Sequence, residues 1–416
     1  MSQVKFPEQA DQGRRRIEFA ERGMAALMTI RSRFSVEKPF KGLTIGMALH
    51  ITKETAVLIR TLRDGGARVV ITGCNPLSTQ DDVAAALAEE DNISVFGHRG
   101  ETDEDYYKFL RDVLDANPQI IIDDGADLVV LAHQEYPLLL AGMLGGCEET
   151  TTGVQRLRAM KHDETLKVPV IAVNDNKTKH LMDNYYGTGQ STIDGLLRAT
   201  NVLLAGKTLV IAGYGSCGKG LALRARGMGA NVIITEVDPF AALQAKMDGC
   251  RVMSMHQAAS EGDIFVTVTG NIKVLNSEHF SLLKDGAILA NAGHFNTEID
   301  LENLEMNATT KRQVRPNLEE YTFAGRKIFL VGEGRLVNLV AAEGHPSEVM
   351  SLSFCGQALA CEYLVRNMGK LASDVITLPE EIDDAISTMQ LTALGVVIDQ
   401  LTDEQKHYLS SWQQGT

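Results

Sequence analysis

From residue 42 the chain alternates between two rhythms. GLTIGMAL (42–49) is an apolar run bounded by glycine, KETAVLIRTLRDGG (53–66) repeats apolar residues at helical spacing, and ARVVITGC (67–74) is β-branched again. Strand, helix, strand is a βαβ unit, which requires a parallel sheet and a right-handed crossover. Further apolar runs, NISVFG (92–97), PQIIID (118–123), DLVVLA (127–132) and VPVIAVN (168–174), predict more strands of the same open sheet. A second series follows: KTLVIAG (207–213), NVIITE (231–236), DIFVTVTG (263–270), GAILANAG (286–293) and KIFLVGEG (327–334), evenly spaced with helical stretches between them. After Asn338 the pattern turns helical, over 347–369 and again over 380–396, and this late helical part is expected to pack back on the first domain, making that domain discontinuous.

Composition narrows the function classes. Forty Lys and Arg against 54 Asp and Glu leave a formal charge of −14, which argues against a nucleic-acid groove, since that needs a basic face. No run approaches the roughly eighteen apolar residues of a membrane span. The opening MSQVKFPEQADQGRRR has no apolar core behind its charges and does not read as a signal peptide. Six cysteines (74, 147, 217, 250, 355, 361) are scattered without CxxC spacing, so no disulfide framework or zinc site is expected and a reducing cytoplasm is the natural compartment. No HExxH or nucleophile elbow occurs, and no metal ligand set is assigned.

Gly213-Tyr214-Gly215-Ser216-Cys217-Gly218 follows an apolar strand directly and opens a helix. The first glycine suits a tight turn, the second lets backbone approach a pyrophosphate, and the third allows helix and strand to pack closely. Eighteen positions beyond Gly218 the next strand ends in Glu236, placed to accept from a ribose diol and to repel a 2′-phosphate. NAD is therefore expected rather than NADP. The expected fold class is α/β: two open parallel-sheet domains, the second a Rossmann NAD-binding domain, with a cleft and hinge between them. The predicted division is 1–185 plus 347–395 for a discontinuous substrate domain, 186–346 for the NAD domain, and 396–416 for a short C-terminal segment. Hinges are expected near 184–190 and 339–346.

In the first domain, polar clusters sit where strands end, the usual ligand edge of an open α/β sheet. They are His50-Ile51-Thr52-Lys53-Glu54, Cys74 to Asp81 with Ser78, Asp123-Asp124-Gly125, and Asn174 to Asn184 with Lys179 and Asp183; a further cluster, Glu148-Glu149-Thr150-Thr151-Thr152, opens after a predicted helix. Singly, each reads as turn formers and helix caps. Together, beside a separate NAD domain, they read as a substrate site whose Asp, Lys and His groups can move protons near neutral pH. Glu54 lies in the first turn of its helix with Thr52 two positions earlier. As an acceptor-only carboxylate it suits an amino donor, although a first-turn acid also simply favours the helix dipole. His294 and His345 fall at a strand end and at the second hinge.

The strings ALHITKETAVLI, CNPLSTQDD, DDGADL, EETTTGV, GYGSCGKG, NAGHFNTEID and GHPSEVM, in this order, closely resemble the S-adenosylhomocysteine hydrolase family, in its short archaeal and bacterial form. The resemblance implies a tightly held NAD, used and regenerated within one turnover. Oxidation at C3′ of the substrate ribose acidifies C4′–H, loss of that proton expels homocysteine, water adds, and the ketone is reduced again. It implies that Lys179, beside Asp183, handles the 3′-hydroxyl proton, with a lysine pKa lowered by burial. It gives Asp124 and His50 to the C4′ proton, the leaving sulfur and the water, and Glu149 to the ribose hydroxyls. His294 would lie by the homocysteine or the ribose. The implied catalytic set is thus His50, Asp124, Lys179, Asp183 and His294. Implied substrate contacts add Thr52, Glu54, Ser78, Glu149 and His345. Implied cofactor contacts are Thr150, Thr151, Thr152, Asn184, Gly213 to Gly218, Glu236, Asn271, Ala292, Gly293, His294 and Asn338. A homotetramer is also implied.

Three departures stand out. Ala241 replaces a common Asn, and Thr188 a common Cys. The chain closes on Gln413-Gln414-Gly415-Thr416, without the Lys and Tyr that reach a neighbour's cofactor in many members. Alternatives are an S-inosylhomocysteine hydrolase of the same mechanism and an NAD-dependent 2-hydroxyacid dehydrogenase. The latter would need Arg335 as a carboxylate clamp and His345 as its base. A catalytically silent NAD-binding regulator conflicts with the intact His50, Asp124, Lys179 and Asp183.

Overall fold

A computed structural model describes residues 2–413. Seven strands form a wholly parallel first sheet: β1 (Thr44–Ala48), β2 (Arg68–Thr72), β3 (Ile93–Phe96), β4 (Ile120–Asp123), β5 (Gly145–Glu148), β6 (Val170–Ala172) and, from far along the chain, β15 (Val375–Ile376). Their spatial order is β15-β6-β5-β4-β1-β2-β3. The order reverses between β1 and β4, whose carboxyl ends carry His50 and Asp124. Strand order reversal opens a crevice, and open α/β sheets bind ligands there.

The second sheet has eight strands: β7 (Thr208–Ala212), β8 (Asn231–Thr235), β9 (Arg251–Val252), β10 (Ile264–Thr267), β11 (Ala287–Asn291), β12 (Ala308–Arg315), β13 (Leu318–Phe323) and β14 (Arg326–Val331). Its order, β12-β13-β14-β11-β10-β7-β8-β9, contains the dinucleotide-binding arrangement, with β12 and β13 added antiparallel at one edge. Here the reversal lies between β7 and β10, beside the glycine loop.

Two expectations change. The run 127–132 is not a strand but part of the helix Asp127–Glu135. Its apolar residues face the core between sheet and neighbouring helices, and Asp123 accepts from Val129 N–H at 2.8 Å, fixing the first turn. Strand β5, with the sequence GGCE, had no β-branched signal, yet it pairs on both sides and is buried throughout.

Helix Ser347–Arg366 packs against helices Ala25–Glu37 and Lys53–Asp64 and against β5, with Phe354, Cys355, Ala358, Cys361 and Leu364 in the first core. The turn Asp183–Gly187 runs without a break into helix Thr188–Thr200, which packs on the helix behind the glycine loop. At the other end, helix Asp403–Ser410 buries no residue, and Gln414, Gly415 and Thr416 lie outside the described residues. Among the described residues no helix is long and apolar enough to cross a membrane.

Candidate active site

Both crevices open into one cavity of about 780 Å³, lined by strand ends of both sheets. That is within the roughly 300–1,000 Å³ usual for small-molecule sites. Every expected site residue lines it except Ser78 and Gly218. Ser78 lies behind His50, its hydroxyl 2.7 Å from His50 Nδ1. Gly218 lies beneath the glycine loop, where a Cβ would stand 2.1 Å from Gly213 O, so the helix can approach the strand only with glycine.

The glycine loop leads from β7 into helix Ser216–Gly227, with Gly213 at φ +103°. Glu236, at the end of β8, accepts from the N–H groups of Tyr214 and Val237 at 2.7 Å each and of Asp238 at 3.1 Å. The acid therefore also ties the loop to its neighbouring strand. Thr150 caps helix Thr151–His162, accepting from Gly153 N–H at 3.1 Å, and donates to Glu148 at 2.8 Å. Thr151 donates to Asn174 Oδ1 at 3.3 Å, and Asn184 Nδ2 donates to the same oxygen at 3.2 Å. Asn271 spends its Oδ1 on Ile272 N–H at 2.9 Å. Asn338 is 3.1 Å from His345 Nε2 through Nδ2, while its Oδ1 is buried with no partner. An orphaned amide oxygen on the cavity wall, a glycine loop and a helix N-terminus lining the same cavity fit a dinucleotide with a carboxamide and a pyrophosphate.

The charged half of the cavity belongs to the first sheet. Lys179 Nζ lies 2.9 Å from Asp183 Oδ2, 3.6 Å from Glu149 Oε1 and 2.8 Å from Asn184 Oδ1, and the lysine is only 5% exposed. Burial alone would lower its pKa, but Asp183 and Glu149 outweigh burial and hold the ammonium above the lysine range. The lowered value expected from the sequence is therefore reversed, because the group is paired as well as buried. Against the same burial, Lys179 and His345 keep Asp183 below the carboxylate range. Asp183 also accepts from Ser353 at 3.0 Å and hydrogen-bonds His345 Nδ1. Glu149 goes the other way: burial lifts it to about 7 against the pull of Lys179, and Gln357 donates to its Oε2.

Across the cavity, His50 Nε2 is 3.4 Å from Asp124 Oδ2 and His294 Nδ1 is 3.6 Å from Asp124 Oδ1, an oxygen without a hydrogen-bond partner. Burial lowers His50 to about 4, against Asp124, so the ring is neutral near pH 7. His294 comes from the second sheet and crosses to the first only because residue 125 is glycine: a Cβ there would meet His294 Nε2 at 2.3 Å. One ligand atom each from His50, Asp124 and His294 lies within 4.8 Å of the others, a clustering of metal-ligand types that linear spacing did not reveal. Arg335, the carboxylate clamp required of a hydroxyacid dehydrogenase, does not line the cavity, and neither does Ala241. Thr188 lies 3.3 Å from His345 Nε2 and accepts from the Cys217 thiol at 3.6 Å.

Several supporting residues escaped the sequence reading. Ser347, Ser353 and Gln357 interrupt an otherwise apolar helix, a signal that was present, and they bond Glu54, Asp183 and Glu149 respectively. Glu298, buried beneath Gly293, accepts from the N–H groups of Thr269 and Gly270 at 2.9 and 2.8 Å and so shapes the cofactor wall.

Comparison with known proteins agrees with this geometry. The family model described as S-adenosyl-L-homocysteine hydrolase matches residues 2–137, and that of its NAD binding domain matches residues 184–344. The chain is 59% identical over 414 residues to the adenosylhomocysteinase of Aquifex aeolicus, covering 99% of each. It is 56% identical over 405 residues to the S-inosyl-L-homocysteine hydrolase of Methanocaldococcus jannaschii, covering 97% of each. Among solved structures, a dipicolinate synthase subunit from Bacillus halodurans shares the fold alone, with a TM-score of 0.51, 14% identity, and coverage of 79% of this chain and 99% of that one. Full-length identity at this level, on a glycine-loop domain facing a Lys–Asp–Glu cluster, makes the chain an NAD-dependent enzyme of the S-adenosyl-L-homocysteine hydrolase family.

Proposed function

We propose that the protein hydrolyses S-adenosyl-L-homocysteine reversibly to adenosine and L-homocysteine, as a cytoplasmic homotetramer, with the substrate and NAD domains divided near residues 186 and 346. The observation that carries this is the meeting, in one cavity, of a dinucleotide loop with the buried Lys179–Asp183–Glu149 cluster. NAD, when bound, supplies a two-electron acceptor for carbon-bound hydride and returns it within the turnover. Thr150, Thr151, Thr152, Asn184, the 213–218 loop, Glu236, Asn271, Ala292, Gly293, His294 and Asn338 are the residues proposed to hold it.

The chain's own groups handle the protons. Lys179, held as ammonium, must cede a proton before it can take one from the 3′-hydroxyl. Glu149, 3.6 Å away and near neutrality, is the group placed to receive it. Asp183 stays ionised and keeps Lys179 in place, with His345 fixing Asp183 from behind. Asp124, whose Oδ1 is unpartnered, is the acceptor proposed for the C4′ proton. Neutral His50 serves the sulfur and the water, and His294 covers them from the opposite domain.

The base is proposed to be adenine, with Thr52 and Glu54 at its edge. The Glu54 side chain offers acceptor oxygens to an exocyclic amine, whereas hypoxanthine would set its O6 against the carboxylate lone pairs. An unpaired buried acceptor costs about 1–3 kcal/mol, or roughly tenfold to a few hundredfold in selectivity. Purified protein incubated with S-adenosylhomocysteine should release free thiol without net NADH. Thiol absent with NADH accumulating would move the protein to dehydrogenase chemistry. Competition with S-inosylhomocysteine tests the base: equal kcat/KM, or an inosyl preference, transfers the assignment to the inosyl substrate named for the Methanocaldococcus relative.

A further inference from the structure

Glu54 is 2% exposed, yet its two oxygens live in different surroundings. Oε1 accepts from Ser347 Oγ at 2.7 Å and faces Lys53 Nζ at 3.2 Å. No described donor reaches Oε2, and the residue lines the cavity. The Lys53 side chain is itself largely covered and lies 3.4 Å from Glu343 Oε2. Glu343 sits in the segment returning from the second sheet, and its carboxylate also takes Arg16 at 2.7 Å and lies 3.6 Å from Arg198. The Lys53 backbone N–H is fixed on Gln80 Oε1 at 3.1 Å. The carboxylate of Glu54 is thus braced on one oxygen by a hydrogen bond from Ser347 and an ion pair with Lys53, and the other oxygen is left for a ligand.

We infer that Ser347 and Lys53 are specificity-determining positioning residues: by occupying Oε1 they fix the orientation of the Glu54 carboxylate and leave Oε2 as the acceptor facing the cavity, so that the site takes a 6-aminopurine nucleoside and refuses a 6-oxopurine. This rests on the adenine reading above. The chemistry is that of one oriented acceptor. A carboxylate held at Oε1 by the Ser347 hydroxyl and the Lys53 ammonium presents the lone pairs of Oε2 to the base, where they match an amino donor and oppose a 6-oxo group. With either partner removed, the carboxylate can turn about its own axis, and Oε2 is no longer fixed at the edge of the base. Discrimination then relaxes, whereas a merely structural role for Ser347 or Lys53 would lower activity on both bases equally.

The test measures kcat/KM for S-adenosyl- and S-inosylhomocysteine in wild type and in Ser347→Ala, Lys53→Met, Lys53→Arg and Glu54→Gln, with NAD occupancy as the check on folding. The expected result is an adenosyl-to-inosyl ratio about tenfold lower in Ser347→Ala and Lys53→Met, through KM more than kcat, and restored in Lys53→Arg. Should Ser347→Ala lose its NAD and fold, the Lys53 pair of variants carries the test alone. A ratio unchanged in Lys53→Met while Glu54→Gln collapses it overturns the inference and leaves the adenine reading standing. A wild type that prefers the inosyl substrate overturns both.

Discussion

The two sheets turn their carboxyl ends toward one cavity and equip them in opposite ways. At the end of the first sheet stand side chains that gain and lose protons: His50, Asp124, Glu149, Lys179 and Asp183. At the end of the second stand the glycine-bearing 213–218 loop, Gly270, Ala292 and Gly293, with uncharged polar side chains such as Thr269, Asn271 and Asn338. Glu236 and His294 are the carboxylate and the imidazole it adds at its strand ends. Backbone amides grip phosphate without changing charge, while buried titratable groups do chemistry and strain the fold that buries them. The same topology thus serves retention of a cofactor on one side and turnover on the other, and substitutions should divide along that line.

The largest effect is expected on the first sheet. Lys179→Met or Asp124→Asn should leave NAD bound and lower turnover by about 10²–10⁴, the usual cost of losing a placed acid–base group. Near wild-type activity in either would remove the assigned role. On the second sheet the signature should invert. Gly218→Ala drives a Cβ to 2.1 Å of Gly213 O, so the loop must shift, and NAD should be lost on gel filtration while the first sheet stays folded. Glu236→Ala should act more mildly. It removes three backbone-anchoring hydrogen bonds and the proposed ribose acceptor, and is expected to weaken NAD by about tenfold or more. Unchanged cofactor content in both would erase the contrast.

The pH dependence sharpens the same contrast. Glu149 is lifted to about 7 by burial and must be ionised to accept a proton from Lys179. Activity should therefore fall as pH drops through about 7, and Glu149→Gln should abolish that limb along with most activity. His50, lowered to about 4, stays neutral throughout and adds no limb above pH 5. A limb near 7 that survives in Glu149→Gln belongs to another group.

Much of this organisation was legible in the residues. Strands such as β2, β7 and β8 are β-branched runs ending in glycine or acid, and the glycine loop announces its own geometry. The polar clusters of the first half were visible because each follows an apolar run. Other features were hidden for physical reasons. The helix Asp127–Glu135 buries two sides, which erases helical periodicity, and β5 is carried by its partners rather than by its composition. The hairpin β12–β13 is mostly exposed along β12 and so lacks an apolar signal. The state of Lys179 was illegible because Glu149 lies thirty positions earlier in the chain, just past the end of β5, and only the fold brings its charge within 3.6 Å of the helix Lys177–His180 that carries the lysine. Ser353 and Gln357 likewise matter only once their helix lies across the strand ends.

The smallest effect belongs to a residue behind the site. Ser78 has one hydroxyl proton and two neighbours able to accept it: His50 Nδ1 at 2.7 Å and Asn75 O at 3.1 Å. If the proton goes to Nδ1, then His50 carries its own proton on Nε2, directed at Asp124 Oδ2 at 3.4 Å. If it goes to Asn75, then Nδ1–H donates to Ser78 and two lone pairs face each other across that 3.4 Å gap. The nearness of Asp124 Oδ2 as an acceptor favours the first arrangement, in which Ser78 selects the tautomer that presents N–H toward the acid. Ser78→Ala removes this selection but leaves Asp124 to orient the ring, so kcat should fall only about threefold to tenfold, with KM and NAD content unchanged. Ser78→Thr keeps the hydroxyl and should recover most of the loss. A Thr variant as slow as Ala would show that Ser78 acts through packing, and that the tautomer of His50 is set by Asp124 alone.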